Sequence, residues 1–319
     1  MKHFFILNPA AGKGKKINKI IDTIHQLCQA RGLDYVVHMT EKIGGATEFV
    51  KKCCQNTAEK LRFYACGGDG TVNETASGLI GNENAELAVI PMGTGNDFVR
   101  NFTNKENFLD IEAQLDGKAE KIDILKYNDK YSVNVINIGF DCEVAKQAIK
   151  NRRSVFIPSK IAFIAGVVQK FVSMPGLKAK VIIDGEEQNE KEFQLCAIAN
   201  GSYYGGGFYA APASDLRDGT VDICMISPVS RMKFLKLVGY YKNGTYLEKL
   251  KGKDVIKYKK CQSVEMYFET PTDVSIDGEI ETLSTLSITT VRNAINFSVP
   301  RGSEMFHPTV PQELQPVGV

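Results

Sequence analysis

The sequence predicts two domains: an N-terminal α/β domain built on a parallel sheet, and a C-terminal domain that is mainly an antiparallel β-sandwich. From residue 1 to about residue 126, short apolar strand patterns alternate with helix patterns, which is typical of βαβ units. From about residue 127, short alternating runs bounded by Gly, Asp and Asn recur, which favours antiparallel strands. The chain of 319 residues is long enough for two cores. We predict domains at 1–126 and 127–295, with 296–319 packing back on the first.

The elements of the first domain alternate along the chain. Strands are predicted at 3–8, 34–39, 62–66 and 85–90, and helices at 17–31, at 46–55 and from about residue 72. Ligands on such parallel sheets bind in the loops beyond the carboxyl ends of the strands. The loops that follow these strands are therefore the first place to look for a site.

The second domain is predicted to be mostly strands, with two helical interruptions. Strands are predicted at 132–139, 179–183, 193–200, 219–226, 263–268 and 272–276, and helices at 144–150 with 159–172, and at 229–243. The last ~15 residues are rich in Pro and Gly and are predicted to form a loosely held tail.

Composition excludes several classes of protein. No stretch reaches the ~18 consecutive apolar residues of a membrane span, and the apolar run at residues 4–7 is too short for a signal peptide. The eight cysteines form no C-x-x-C pair, which disfavours a zinc site. We therefore expect a protein of the cytosol with reduced cysteines.

Three glycine-rich segments follow predicted strands of the first domain. Glycine lets the backbone approach a ligand closely, and the N–H groups at the start of a following helix attract phosphate. None of the three matches Walker A or G-x-G-x-x-G. One such segment alone would more often be a plain tight turn, but three at one sheet edge predict a phosphate cradle. The segments are Asn8-Pro9-Ala10-Ala11-Gly12-Lys13-Gly14, Gly67-Gly68-Asp69-Gly70-Thr71 and Pro91-Met92-Gly93-Thr94-Gly95-Asn96-Asp97.

The second and third segments, together with the residues that follow them, resemble the diacylglycerol kinase catalytic family, specifically its bacterial soluble lipid kinases. The motif Gly-Gly-Asp-Gly-Thr alone is shared with NAD kinases, whereas the whole ordered set is specific to the lipid kinases. The resemblance covers nearly the whole chain and implies a nucleotide domain like those of phosphofructokinase and NAD kinase. Further matches, in the family's order, are Asn8-Pro9-x-x-Gly12, Thr40, Asp123, Asp215-Leu216-Arg217-Asp218-Gly219-Thr220-Val221-Asp222 and Asp277-Gly278-Glu279.

The resemblance implies roles for individual residues, with ATP and Mg²⁺ as cofactors. Asp69, Asp97 and Asp123 would bind or orient the catalytic Mg²⁺, and Asp215, Asp218 and Thr220 would hold a structural Mg²⁺. Glu279 would be the general base, with Asp277 as its orienting partner or as a ligand. Locally, however, Asp277-Gly278 also predicts a hairpin turn, and the loop at 215–220 a surface turn. The implied nucleotide-binding residues are Asn8, Gly12, Thr40, Gly67, Gly68, Asp69, Gly70, Thr71, Glu74, Gly93, Thr94 and Asn96.

Basic residues are concentrated in two parts of the chain. Residues 144–180 hold eight Lys and Arg and no acid, and residues 231–260 hold ten against two acids, in a chain of net charge +2. The first of these parts also holds apolar residues among its basic ones, mainly at 157–172, as in an interfacial amphipathic helix. A solvated basic surface is the alternative, and the lack of a recognised module disfavours nucleic acid. We predict docking on an anionic membrane surface.

These patterns predict an ATP- and Mg²⁺-dependent kinase for the hydroxyl of a membrane lipid, with diacylglycerol as the leading acceptor. The predicted protein is cytoplasmic and peripherally associated with the inner face of the membrane. The alternatives are a kinase for a sphingoid base or a polyprenol, an NAD kinase, and a nucleotide-sensing protein without catalysis. A homodimer is expected from the resemblance alone.

Overall fold

The N-terminal half forms the predicted parallel sheet with helices. The computed structural model describes residues 1–14, 17–55, 57–140, 142–144, 146, 176–189, 192–250 and 255–308. The strand order is β4-β3-β1-β2, and every neighbouring pair is parallel. The elements are β1 Lys2–Leu7, α1 Ile17–Ala30, β2 Tyr35–Met39, α2 Gly45–Cys54, β3 Leu61–Gly67, α3 Asp69–Leu79, β4 Ala85–Pro91 and α4 Ile111–Leu115, with 3₁₀ turns at Ala11–Gly14, Phe98–Asn101 and Lys105–Leu109.

The strands β1, β3 and β4 of this sheet are mostly apolar because both of their faces are covered. Side chains of β1 and β3 alternate between two cores. Phe4 stacks on Phe63 in one core at 4.8 Å between ring centroids, and Phe5 stacks on Tyr64 in the other at 4.2 Å. The sheet fixes the three strand ends, those of β1, β3 and β4, from which the glycine segments leave.

The C-terminal half is mainly antiparallel, as predicted, and its central core lies between layers of strands. The buried residues of that core come from β5, β7, β8, β10, β11, β14, β15, β16 and β17. The elements are β5 Lys118–Tyr127, β6 Lys130–Ser132, β7 Val135–Gly139, β8 Leu177–Ile183, β9 Glu186–Glu187, β10 Glu192–Phe193, β11 Leu195–Ala199, β12 Tyr203–Tyr204, β13 Phe208–Tyr209, β14 Val221–Ile226, α5 Arg231–Lys242, α6 Tyr246–Lys249, β15 Ile256–Cys261, β16 Ser263–Ile276 and β17 Glu279–Val299.

The last long strand, β17, joins the two halves and was not predicted. It pairs antiparallel with β16 and β5, and its residues Asn296 and Phe297 pair parallel with β4. The sheet is therefore continuous across residue 126, and the exact domain boundary stays a prediction. Long pairings of this kind depend on residues far apart in sequence, so the short patterns used for prediction did not reveal β17.

Two further expectations differ from the structure. The strands predicted at 263–268 and 272–276 form one strand, β16, whose register with β17 shifts between Tyr267 and Thr272. Helix α3 begins at Asp69, earlier than the predicted residue 72, because its first turn is made by the glycine segment itself.

The predicted helices at 144–150 and 159–172 and the tail fall mostly outside the described residues. Within the described part of the chain, no helix is long and apolar enough to cross a membrane.

Candidate active site

The carboxyl edge of the parallel sheet gathers the strand ends that the sequence singled out. Asn8 follows β1, and its Nδ2 donates a hydrogen bond to Thr71 Oγ1 at the start of α3 (3.0 Å). Thr40 follows β2, and both its backbone N and its Oγ1 donate to the carbonyl of Leu7, at 2.9 and 3.3 Å. The ends of three neighbouring strands are thus tied together.

The three glycine segments pack backbone against backbone. A Cβ added to Gly93 would lie 2.5 Å from Gly68 Cα, and one added to Gly12 would lie 2.7 Å from the Met92 carbonyl oxygen. Gly12 also has a positive φ of 59°. Any side chain at these positions would push the segments apart, which explains the glycines there. Thr94 is exposed within the third segment.

Two aspartates, Asp69 and Asp97, lie side by side within these segments. Asp69 Oδ1 accepts hydrogen bonds from the backbone N–H groups of Asp97 and Phe98, at 2.8 and 3.1 Å. Asp97 forms an ion pair with Arg100 at 3.2 Å. A Cβ on Gly95 would lie 3.0 Å from Asp97 Oδ2 and 3.1 Å from Asp69 Oδ2, so both oxygens border the same glycine.

The electrostatics of this pair favour a bound cation. Burial and then the charge of Asp69 raise the pKa of Asp97 to about 6. Burial also raises the pKa of Asp69. The first cause of both shifts is desolvation, which disfavours the ionised form of each carboxylate and which a nearby cation would offset. The pair can therefore accept a divalent ion through its oxygens.

The turn between β16 and β17 is held by Asp277, whose carboxylate is buried. Its oxygens accept hydrogen bonds from the Ser132 hydroxyl at 2.9 Å and from three consecutive backbone N–H groups, those of Val133, Asn134 and Val135, at 2.9 to 3.1 Å. Burial raises the pKa of Asp277 to about 7, and these donors oppose the shift. Asp277 is therefore an orienting residue for the turn, and the alternative role of ligand is not supported.

Glu279 begins β17, two residues after Asp277, and reaches the second glycine segment. A Cβ added to Gly70 would lie 3.0 Å from Glu279 Oε1. Partial desolvation and then the negative charges of Glu74 and Glu281 raise the pKa of Glu279. The carboxylate is exposed to solvent. It is thus an accessible group of raised basicity beside the predicted phosphate cradle.

Gly70→Ala is expected to lower turnover by roughly 10- to 100-fold, because the new methyl group displaces Glu279 by a fraction of an ångström or more. Gly70 lies in α3 with no positive φ, so folding should be unaffected. The control is Gly45→Ala, where the added Cβ makes ordinary contacts of 3.7 and 3.9 Å. Steady-state kinetics and thermal melting of both variants test this. A lowered Tm for Gly70→Ala alone would mean a packing role instead.

Two residues that were predicted to bind the nucleotide form hydrogen bonds with backbone groups of the protein. Glu74 accepts hydrogen bonds from the backbone N–H groups of Gly44 and Ala46, at 2.9 and 3.2 Å, and so holds the start of α2. Asn96 bonds through Oδ1 and Nδ2 to the backbone N and O of Gly93, at 2.8 and 3.1 Å. Both side chains therefore hold loops of the site, and their predicted contact with the nucleotide stays a prediction.

Asp123 is placed by its contacts with the loop at 215–222. Its Oδ2 accepts from Gly219 N and its Oδ1 from Asn293 N, each at 2.7 Å. Its own N–H donates to the carbonyl of Leu216 at 2.7 Å. Both carboxylate oxygens are therefore occupied by backbone donors. The prediction that Asp123, with Asp69 and Asp97, binds or orients the catalytic Mg²⁺ stays a prediction.

The carboxylates that were predicted to hold a structural Mg²⁺ accept hydrogen bonds from donor groups of the protein. Asp218 Oδ1 accepts from Thr220 N at 2.9 Å and from Thr220 Oγ1 at 2.6 Å, while Asp218 Oδ2 accepts from Lys260 Nζ at 2.6 Å. Asp215 Oδ1 accepts from Arg217 N at 3.1 Å. Among the described residues, no group of three or more His, Cys, Asp or Glu could hold a metal ion. Asp215, Asp218 and Thr220 do not fit a magnesium site.

One part of the site was missed in the sequence. The turn between β12 and β13 consists of Gly205, Gly206 and Gly207, all at positive φ (61°, 83° and 110°). Gly206 N donates to Asp97 Oδ2 at 2.8 Å, and a Cβ on Gly207 would lie 3.2 Å from an Arg100 nitrogen. The run of three glycines between aromatic pairs is visible in the sequence and could have revealed this turn.

Comparison with known proteins matches both halves of the chain. The "Diacylglycerol kinase catalytic domain" family matches residues 2–127, and the "YegS C-terminal NAD kinase beta sandwich-like domain" family matches residues 134–299. A "Probable lipid kinase YegS-like" of Alcanivorax borkumensis is 26% identical over 89% of this chain and 92% of its own length. A "Diacylglycerol kinase" of Staphylococcus epidermidis is 28% identical over 86% of this chain and 84% of its own length.

A solved structure shares the fold. The crystal structure of a diacylglycerol kinase from Bacillus anthracis superposes with a TM-score of 0.69 at 22% identity, covering 94% of this chain and 97% of that one. The family matches to both halves show that the chain belongs to the bacterial lipid kinase family with a diacylglycerol kinase catalytic domain.

Proposed function

We propose that the protein transfers the γ-phosphoryl group of ATP to the free hydroxyl of diacylglycerol, giving phosphatidic acid and ADP at a membrane surface. The observation that carries this proposal is the position of Glu279 Oε1 against Gly70, within the segment that would hold the phosphates. A carboxylate there can serve a hydroxyl acceptor, since phosphoryl transfer to an alcohol requires a group that takes its proton.

The proposed reaction divides its tasks among the described residues. The glycine segments hold the triphosphate against the start of α3. Glu279 accepts the proton of the lipid hydroxyl while the hydroxyl oxygen forms a bond to the γ-phosphorus, and the bond to the β-phosphate oxygen breaks to release ADP. Asp277 keeps the turn rigid, so that Glu279 is aimed before substrate arrives.

A magnesium ion fits Asp69 and Asp97, in contrast to the loop at 215–222. Their Oδ2 atoms border Gly95, and burial raises the pKa of each residue, a shift that a bound cation would oppose. Mg²⁺ bound with ATP would supply neutralisation of the charge on the phosphates. Arg100 adds one positive charge beside Asp97.

Helix α5 supports the action on a membrane lipid. It carries basic residues and no acid, and two large apolar side chains on it, Met232 and Leu235, are 71% and 54% exposed. Exposed apolar and basic side chains together suit the interface of an anionic bilayer. The amphipathic pattern predicted at 157–172 lies outside the described residues and adds nothing to this argument.

The proposed function is tested by phosphate transfer from labelled ATP with Mg²⁺, in mixed micelles that contain anionic phospholipid. The acceptors are diacylglycerol, sphingosine, undecaprenol and NAD, offered separately. Label in phosphatidic acid is expected. Label only in another lipid would keep the mechanism and change the acceptor, whereas label only in NAD, or in nothing, would overturn the lipid kinase proposal.

The double variant Met232→Ser with Leu235→Ser is expected to weaken binding to phosphatidylglycerol vesicles by about 10-fold or more, because burying two apolar side chains contributes a few kcal/mol. Vesicle sedimentation measures this, and activity on a short-chain, water-soluble diacylglycerol should stay unchanged. The control is Leu109→Ser, whose side chain is 60% exposed in the N-terminal half. Equal binding by all three proteins would show that α5 is not the docking helix.

A further inference from the structure

Strand β15 ends next to a buried lysine that the sequence pattern assigned to a basic surface. The side chain of Lys260 is only 3% exposed. Its Nζ lies 2.6 Å from Asp218 Oδ2, 3.0 Å from Asp222 Oδ2 and 3.5 Å from Thr220 Oγ1. These three oxygens surround a position that fits a cation. The position lies at the base of the loop at 215–222, which contacts Asp123.

We propose that the ammonium group of Lys260 is the resident cation of the loop at 215–222, and that this loop folds without a bound magnesium ion. The inference concerns the loop alone and does not depend on the lipid that the enzyme phosphorylates.

The pairing of β14 with β15 places the lysine there. Asp222 and Lys260 are direct cross-strand partners in this antiparallel pair. Opposite charges at such a position lie close enough to form an ion pair. The Asp222 side chain is 1% exposed, and its second oxygen accepts a hydrogen bond from the Tyr258 hydroxyl at 2.6 Å. The lysine is therefore part of the folded strand pair, as fixed as the strands themselves.

The ammonium group of Lys260 already supplies the positive charge and the hydrogen bonds that a metal ion would provide to these carboxylates. Burial raises the pKa of Asp222 to about 6, and the positive charge of Lys260 opposes that shift. Burial alone lowers the pKa of Lys260, but Asp222 and Asp218 raise it above its ordinary value, so the ammonium stays charged. The buried carboxylate of Asp222 and the partly exposed carboxylate of Asp218 thus share the ammonium group of Lys260, whose donors are directed at oxygens.

Geometry makes the ammonium and a magnesium ion mutually exclusive at this position. Mg²⁺ requires about six oxygens at 2.0–2.1 Å in an octahedron. Asp218 has its first oxygen held by Thr220 and its second by Lys260. A divalent ion on the same oxygens would meet the ammonium at a repulsive distance of a few ångströms. The protein would have to expel the buried lysine to bind the ion.

The loop that Lys260 stabilises is connected to the rest of the site. Gly219 N, inside the loop, donates to Asp123 Oδ2, and the Asp123 carbonyl accepts from Asn200 Nδ2 at 3.0 Å. An internal cation makes this connection independent of the concentration of Mg²⁺. Any requirement of the reaction for Mg²⁺ then arises at Asp69 and Asp97 alone.

The test compares thermal melting of nucleotide-free protein in EDTA and in millimolar Mg²⁺. The wild type is expected to melt at the same temperature in both. Lys260→Met should melt lower in EDTA, by on the order of 5–10 °C, because the buried carboxylate of Asp222 and the partly exposed carboxylate of Asp218 lose their counter-charge. Mg²⁺ should recover part of that loss, since the oxygens of Asp218 and Thr220 become available. The control is Lys259→Met, the exposed neighbour on β15, which should behave as wild type.

Metal analysis tests the same inference when Lys260→Met does not fold. Wild-type protein and Asp218→Asn, dialysed without nucleotide, should both retain no magnesium beyond the buffer background. A wild type that keeps about one magnesium ion per chain, lost in Asp218→Asn, would overturn the proposal. A wild-type Tm that falls on addition of EDTA, with Asp218→Asn insensitive, would overturn it equally.

Discussion

Glu279→Gln is expected to lower kcat by roughly 10²- to 10⁴-fold, the range in which a general base contributes. The amide keeps the size of the side chain beside Gly70 but cannot take the proton of the attacking hydroxyl. ATP affinity should stay close to that of the wild type, because Glu279 is placed on the acceptor side of the reaction. Equilibrium ATP binding and steady-state kinetics separate these two effects. Equal losses in ATP binding and turnover would remove the general-base assignment.

The dependence of activity on pH is an independent test of the general-base role of Glu279. A base acts when ionised, so activity should rise with pH through the pKa of Glu279, which its surroundings raise above the ordinary value for a glutamate. Glu279→Gln should lose this acid limb, while a limb that persists would belong to Asp97, whose pKa is about 6. The matched control is Glu281→Gln on the same strand, where the carboxylate pairs with Lys130 at 2.9 Å. It should keep most of the turnover and an acid limb that is displaced to lower pH, because it removes one of the negative charges that raise the pKa of Glu279.

Asp277→Ala is expected to be the most destabilising of the single substitutions considered. It removes the acceptor for three backbone N–H groups and the Ser132 hydroxyl in a buried position. Each buried donor left unpaired costs about 1–3 kcal/mol, so the free energy of unfolding should fall by roughly 3 kcal/mol or more. A loss of that size lowers Tm by on the order of 5–10 °C. Turnover should fall as well, because Glu279 loses its support.

Asp184→Ala is the control that separates the effect of burying the hydrogen bonds of Asp277 from the effect of removing a turn aspartate. Asp184 also precedes a glycine in a turn, has a similar positive φ (52° against 47° for Asp277), and accepts from two backbone N–H groups, those of Gln262 and Ser263. Its bonds are exposed, so water can replace them and Tm should fall much less. If both variants lost the same few degrees while only Asp277→Ala lost turnover, Asp277 would act on the reactants directly.

Local pattern was sufficient to predict the parallel sheet and the placement of the glycine segments. Continuous apolar runs such as Leu61–Gly67 carry the information for a doubly buried strand in their own residues. Since parallel strands end at one edge, the segments after β1, β3 and β4 had to meet. The Asp277-Gly278 turn was equally visible, because Asp-Gly is a strong hairpin signal by itself.

The sequence by itself therefore determined the fold class, the edge where the site lies and the acid residues that belong to it. Only the tertiary structure decided which of those acids remain available. Glu74, Asp123 and Asp277 are each consumed by backbone N–H groups from distant segments. Lys260 became an internal cation through its register opposite Asp222. The physical reason is that periodicity and turn chemistry are local, whereas burial and the choice of hydrogen-bond partner depend on strand pairings between residues far apart in the chain.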